Sequence, residues 1–360
     1  MELISNLKED TALDQRPRLK SACLELQQMA LDLGVDAKLP TMIELRSQLG
    51  MSLRTINDAV RELERRQILR SVNGVGIYVS SPRPQQLTGR IGLLLHVGGL
   101  TDPYTSELLL GVRREAVRQG MELLFLDEES QTVEQGKVDA VLMYCHETEA
   151  LAMNLPPNLP HVLLFQHSSD FACVAVNDFE GAKMATEHLL ELGHTRIGYL
   201  LGSDQDSISR QRLSGYQMAH QESGTVFDQQ CVRFLKKSKQ QNYLEAGQVA
   251  MQSWLNTDWK ELGCTAILAH NDLTAIGIMK VLTNSGFRVP QDISVVGFDG
   301  TRFSDLCTPL LTTVRVPLYD IGTRAIKILM EQIKDGAIRQ EKVVIPVSFK
   351  KGESSSACNR

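Results

Sequence analysis

The stretch that most constrains the fold runs from Thr265 to Gly300, TAILAHNDLTAIGIMKVLTNSGFRVPQDISVVGFDG. Two short apolar runs, Ala266–Ala269 and Ile293–Phe298, each end in a polar cluster, His270-Asn271-Asp272 in the first and Asp299-Gly300 in the second. Between them Ile276, Met279, Val281 and Leu282 recur at helical spacing until Gly286, and Pro290 follows. Strand, helix and strand in so short a span predict a βαβ unit, which closes right-handed into a parallel sheet. Ligands of open parallel sheets gather at the carboxyl ends of the strands. Asn271 and Asp299 stand at such ends and are candidate ligand contacts; either could instead cap the helix or turn that follows it.

The same alternation extends upstream and downstream. Apolar runs at Ile91–His96, Met121–Leu126, Val138–Cys145, His161–Gln166, Cys173–Asn177 and Arg196–Leu201 read as strands. Amphipathic segments at Tyr104–Gln119, Asp178–Leu192, Ser207–Ser223 and Asn242–Leu255 read as helices. Leu311–Val316 is extended, Leu318–Ile333 helical, and Lys342–Phe349 a closing strand. This is more βα alternation than one sheet needs, so the expected fold is α/β with two parallel-sheet, Rossmann-like subdomains.

Ahead of this core the pattern changes. Leu19, Ala22, Cys23, Leu26, Met29, Ala30 and Leu33 mark a helix ended by Gly34. Thr41 is a plausible N-cap for a short second helix stopped by Gly50, and Ser52 for a third with its stripe at Ile56, Ala59, Val60 and Leu63. Only a few residues join these two, which is a helix-turn-helix. Ile68–Ser71 and Ile77–Ser80 then flank Asn73-Gly74-Val75-Gly76, a hairpin with turn residues at its tip. Three helices and a hairpin predict a winged helix-turn-helix over residues 1–80. SSPRPQQLTG is a linker by composition, expected over 81–89, and the core is expected over 90–352.

Charge and cysteine usage narrow the function classes. The net charge is −5, so no global basic field points to nucleic acid, although a local patch can still bind it. The seven cysteines are scattered, without a CxxC pair, as in a reducing compartment. The N-terminus lacks a basic region followed by an apolar one, and no apolar run approaches the ~18 residues of a membrane span. A cytoplasmic protein is expected. The eight histidines show no HExxH or clustered ligand spacing, and neither a Gly-x-Ser-x-Gly elbow nor a phosphate-cradling loop is present. No catalysis, metal or cofactor is expected.

Two family resemblances follow from ordered motifs. Leu39-Pro40-Thr41, Leu45, Gly50, Ser52, Thr55, Ala59, Leu63, Gly74 and Gly76 resemble the reading head of the GntR family of bacterial regulators. That family usually has Arg directly after the serine, where this chain has Leu53, and basic residues where this chain has Asn57 and Asp58. Residues 1–80 carry eleven Lys/Arg against eleven Asp/Glu, so the head is neutral overall. The resemblance implies an interface of Thr41, Ser52, Arg54, Thr55, Asn57, Arg70, Gly74 and Gly76: Arg54 and Asn57 toward base edges, the hydroxyls toward phosphates, Arg70 and the wing amides as braces. The bland alternative is a solvated face of a small helical domain.

Residues 90–350 resemble the effector core of the LacI/GalR repressors, related to periplasmic sugar-binding proteins of type I. The matching stretches include DFEGA from Asp178, RLSGY from Arg212, Asn271-Asp272 with Ala275-Ile276-Gly277, and PLLTTV from Pro309. The resemblance implies three crossings between the subdomains, one formed by 90–193 with 318–338 and the other by 194–317 with 339–352. It also implies a cleft that binds a small effector through Arg212, Asn271 and Asp299, with Asp102, Tyr104, Tyr144 and Gln166 or His167 opposite. Arg212 could instead be a structural ion pair, and Asp178 a helix cap. The expected function is a dimeric, ligand-responsive transcriptional regulator whose partners are operator DNA and a sugar, acting as a repressor of carbohydrate-utilisation genes. Activation, corepression, or a sugar-binding receptor are the alternatives.

Overall fold

The computed structural model describes residues 17–34, 37–65, 68–72, 74–80, 87–95, 103–126, 133, 136–144, 152, 155–156, 158–168, 170–204, 206–236 and 242–358. Contacts divide the chain into two units, Met1–Gln86 and Leu87–Arg360. The linker residues 81–86 lie outside the described residues.

In the first unit α1 (Pro17–Leu33), α2 (Met42–Leu49) and α3 (Leu53–Arg65) precede the antiparallel pair β1 (Leu69–Val72) and β2 (Gly76–Val79). Ala22, Leu26, Leu45, Ile56, Leu63 and Leu69 are buried together, so the three helical stripes and the hairpin share one core. Thr41 and Glu44 form a reciprocal capping box at α2, and Gly50 ends that helix in the left-handed region at φ 61°. A third strand-like segment adds to the wing: Leu39 N–H donates to Ile77 and Val79 N–H to Ala37, with Lys38 bridging Tyr78.

The second unit holds two six-stranded sheets of matching order. The first is β13-β7-β6-β5-β3-β4, comprising β3 (Arg90–Leu95), β4 (Glu122–Phe125), β5 (Ala140–Tyr144), β6 (His161–Leu164), β7 (Cys173–Val176) and β13 (Lys342–Ile345). The second is β14-β12-β11-β10-β8-β9, comprising β8 (Ile197–Leu201), β9 (Val232–Phe234), β10 (Ala266–Ala269), β11 (Ser294–Asp299), β12 (Thr312–Arg315) and β14 (Ser348–Lys350). All pairings are parallel except β12 with β14. The central strands are buried along their length because helices cover both faces, which is why they read as continuous apolar runs. Strand order reverses between β3 and β5 and again between β8 and β10, and those switch points are where such sheets hold ligands.

Helices α4 (Pro103–Arg118) and α10 (Leu318–Asp335) pack on each other, and α10 packs on the first sheet. On the second, α5 (Asp178–Glu191) packs against β12 and α6 (Ser207–Glu222), and α9 (Asp272–Asn284) against β11 and α7 (Tyr243–Asn256). A short α8 (Trp259–Leu262) caps that layer.

These placements correct the expected subdomain boundaries. The first crossing is at Asn177, not 193, because α5 lies on the second sheet. The second falls between β12 and α10. The stretch Lys342–Phe349 is two strands interrupted at Pro346. The first pairs with β7, so the third crossing follows Ile345 and not 338. Proline has no N–H to continue a ladder. The polar tail beyond 352 also belongs to the fold. Ser354 is fully buried, donates to Val295 O at 2.6 Å and accepts from Thr312 N at 2.9 Å, and Cys358 N–H reaches Leu192 O. Its hydroxyls and amides satisfy groups at the strand starts, which composition alone does not reveal.

Candidate functional site

The second sheet supplies a polar half-site at the carboxyl ends of its strands. Arg212, on α6, is buried, and its guanidinium carbon sits over the Phe298 ring, 3.6 Å from the centroid. Its Nε donates to Asp178 Oδ1 at 2.7 Å and one Nη to the His270 carbonyl at 2.5 Å. Burial opposes the charge, but Asp178 and then Asp299 outweigh it, and the guanidinium holds its proton more firmly than a free arginine. The ion-pair role is therefore present, and Asp178 is its partner. The N-cap of α5 is Asn177, whose side chain accepts from Glu180 N. Gly181 lets α5 pass this close, since a Cβ there would meet the Phe298 ring at 2.7 Å.

Asn271 is the N-cap of α9: its Oδ1 accepts from Thr274 N at 2.9 Å and Thr274 Oγ1 at 2.8 Å. The carbonyl is committed to the helix, and the amide NH2 is the group left to meet a ligand. Asp272 faces inward. It accepts from Thr313 Oγ1 at 2.6 Å, Thr301 N at 2.8 Å and Thr301 Oγ1 at 3.1 Å, tying β10 to the segment after β11 and to β12. Burial pushes its carboxyl up to about 7 against those hydrogen bonds.

Asp299 ends β11 with φ 113°, a region side chains rarely occupy, and is nearly buried. Its carbonyl accepts from Val316 N at the second crossing. Strain of this kind, at a strand end beside a crossing, gathers at functional sites. His270 is half-buried against Gly202 and Tyr243, and its Nδ1 is buried with no hydrogen-bond partner. Burial and then Arg212 push its pKa down to about 3, so the ring is neutral.

The first sheet supplies an aromatic half. Tyr104 at the start of α4, Tyr144 at the end of β5 and Phe165 after β6 form one cluster, with Phe165 5.1 Å from Tyr104 and 5.0 Å from Tyr144 between centroids. Phe165 also has a positive φ of 60°. Burial, then Tyr144, Asp299 and Asp178, push the Tyr104 hydroxyl well above the ordinary tyrosine range, with Arg212 acting the other way. The two halves thus feel one another's charges. At another point Glu107 of α4 accepts from Arg302 N at 3.1 Å.

Of the residues expected to contact an effector, Tyr104, Tyr144, Asn271 and Asp299 stand at strand ends or helix starts, and Arg212 lies in the second turn of α6. Gln166 is half-buried and His167 exposed. Asp102 lies outside the described residues. Sequence reasoning missed Phe165, Phe298 and the pairing of Asp178 with Arg212. The signal for Phe165 was the end of a buried strand, placed one residue late; no local pattern marks the other two.

On the head, Ser52 caps α3 through Thr55 N at 3.1 Å, and the two hydroxyls meet at 2.8 Å. The Thr41 hydroxyl donates to Glu44. Arg54 and Asn57 are exposed on the first turns of α3. Arg70 lies over Tyr78 at 5.1 Å on the wing, and a Cβ at Gly76 would strike Lys38. Gly74 is exposed at the wing tip.

Comparison with known proteins assigns both units. Residues 25–79 match the family model for bacterial regulatory proteins of the gntR family, and 186–355 match a periplasmic binding protein-like domain. The transcriptional regulator GalR of Escherichia coli (strain K12) is 32% identical over 259 residues, covering 68% of this chain and 73% of GalR. The chain belongs to the LacI/GalR family of transcriptional regulators. It joins a GntR-type reading head to a LacI/GalR effector core. The ribose operon repressor of the same organism is 28% identical over 284 residues, covering 74% of this chain and 82% of the repressor. A LacI family regulator from Enterococcus faecium, solved with bound ribose, superposes with a TM-score of 0.65 at 24% identity, covering 75% of this chain and all of the other. Among the described residues no helix is long and apolar enough to cross a membrane.

Proposed function

We propose that this regulator is a cytoplasmic, dimeric repressor of carbohydrate-utilisation genes, released from its operator when a small sugar closes the cleft. The observation that carries the reading is the buried polar cluster of Arg212, Asp178, Asn271 and Asp299 at the carboxyl ends of the second sheet. A sugar hydroxyl both donates and accepts. Arg212 and the Asn271 amide donate, Asp299 accepts, and the Tyr104–Tyr144–Phe165 cluster offers rings to the apolar face of a pyranose or furanose. The ribose operon repressor and the ribose-bound regulator, both similar to this chain, favour a pentose or hexose.

The hinge and the site share residues. Asp178 follows the first crossing and the Asp299 carbonyl holds the second, so a ligand bridging Asp299 and Tyr104 biases the angle between the sheets. In a dimer that change moves paired heads relative to half-sites about one DNA turn apart. A coupling of ~1–3 kcal/mol alters operator occupancy five- to a hundred-fold. On the DNA side Arg54 and Asn57 meet base edges. Ser52, Thr55, Arg70, Gly74 and Gly76 contact the backbone, and Thr41 chiefly shapes α2. The site binds and does no chemistry.

A thermal-shift panel of pentoses, hexoses and sugar phosphates on the full chain tests this. A ligand at ~100 times its Kd adds ~2.7 kcal/mol of stability. A panel in which no sugar raises the melting temperature overturns the sugar assignment, and a sugar that tightens operator binding overturns release.

A further inference from the structure

The head carries large apolar side chains in the open on its reading face. Leu53, the first residue of α3, is 42% exposed. Asn57 and Arg61 continue the same outward stripe at four-residue steps, while Ile56, Ala59, Val60 and Leu63 fill the buried one. Ile43, at the start of the preceding helix, is 76% exposed, the highest value for a large apolar residue among the described residues of the head. A lone exposed leucine is ordinary. The position of Leu53 is not, because the first turn of the second helix in a helix-turn-helix is the part that meets base edges in the major groove. The apolar group a duplex presents there is the thymine 5-methyl. The head is also electrically neutral, with eleven Lys/Arg and eleven Asp/Glu in residues 1–80, so phosphate attraction contributes less than in a basic head and contacts at the bases weigh more.

We propose that Leu53 is a specificity-determining residue that reads a thymine methyl group in each operator half-site. The inference rests on the DNA-binding reading of the head and adds the base it selects. The Ser52–Thr55 cap fixes the first turn of α3 and with it the position of Leu53. Arg54 and Asn57 read the neighbouring pairs.

The test selects duplexes from a random library with the full-length protein, then remakes the enriched site with deoxyuridine replacing thymine one position at a time. Deoxyuridine keeps the pairing and lacks only the methyl. At one thymine per half-site the replacement weakens binding about fourfold. Leu53→Ala, which alters an exposed side chain and leaves the head's core intact, shows that loss on the normal duplex and no further loss on deoxyuridine. Leu53→Arg shifts the selected base from thymine to guanine, whose O6 and N7 suit a guanidinium. Deoxyuridine without effect at every position, or an undiminished penalty in Leu53→Ala, overturns the inference. Failure to enrich any duplex is a separate result: it removes the DNA-reading role of the head itself.

Discussion

On the second sheet three of the candidate polar side chains are held by hydrogen bonds or a ring: Arg212 by Asp178, the His270 carbonyl and the Phe298 ring, Asp272 by two threonines, and Asn271 by the helix it caps. On the first sheet the rings of Tyr104, Tyr144 and Phe165 pack against one another. The strand orders match and the five strands from the far edge inward run alike, so the difference lies in the side chains. Charged hydrogen bonds have narrow geometry and build a preorganised half, whereas rings in contact tolerate small shifts and suit the half that closes on a ligand. Stability and ligand response should therefore separate more cleanly on the aromatic half than on the charged one.

The largest expected effect breaks the charged half. Arg212→Ala strands the buried Asp178 carboxylate and should destabilise the ligand-free protein by ~3–5 kcal/mol, read from denaturant unfolding. The double variant with Asp178→Asn should cost less than the sum of the two singles. Purely additive losses would mean that the pair is not coupled. Any loss of sugar binding in Arg212→Ala is thus mixed with loss of fold, which makes that substitution a poor probe of the ligand.

Acid should act mainly through the charged half as well. His270 is held at about 3 when folded and titrates near 6.5 when unfolded. Between those values the unfolded chain binds more protons, so this contribution is complete above pH 6.5 and is lost as pH falls toward 3. Asp272, raised to about 7, works in the opposite sense, because the folded chain keeps a proton the unfolded chain releases above about 3.8. The difference between wild type and His270→Gln isolates the histidine: the variant should lose less stability from pH 7 to pH 5. Equal slopes would mean that His270 charges freely in the fold.

On the aromatic half, Tyr144→Leu keeps bulk and removes a ring. It should change apo stability by no more than ~1.5 kcal/mol, the worth of an aromatic pair, while weakening the sugar response about tenfold. A normal response would remove the ring face from the site. The smallest effect belongs to the rim. Glu107→Ala deletes one hydrogen bond between the halves, worth ~0.5–1.5 kcal/mol, and should weaken ligand binding a few-fold without changing Asp299 or Tyr104. Unchanged binding would mean that this contact forms equally in the open state.

Much of this was legible in the sequence. The βαβ unit from Thr265 to Gly300 with Asn271 and Asp299 at its strand ends, and the helix-turn-helix with Thr41 and Ser52 at its caps, follow from periodicity and turn residues, whereas Arg212 was singled out only by the family resemblance. The partners of these residues were not legible. Asp178 is thirty-four positions from Arg212, and only the packing of α5 on α6 brings them together. The crossing at Asn177 was misplaced because a strand followed by a helix reads the same whichever sheet receives the helix. The tail fell outside the expected core at 352 because its serines satisfy backbone groups far away in the chain, such as Val295 and Thr312. Arg212 forms the ion pair that the sequence left as one of its two readings, and its part in ligand binding belongs to the proposed function.

The central claim is that Asp299 couples sugar binding to operator release. The most direct measurement compares full-length wild type with Asp299→Asn in an operator-binding titration, with and without the sugar that stabilises the wild type. The substitution keeps size and tolerates a positive φ while removing the acceptor charge. Both proteins should bind operator equally without sugar, and only the wild type should release it when sugar is added. Release by Asp299→Asn at the same sugar concentration would contradict the account.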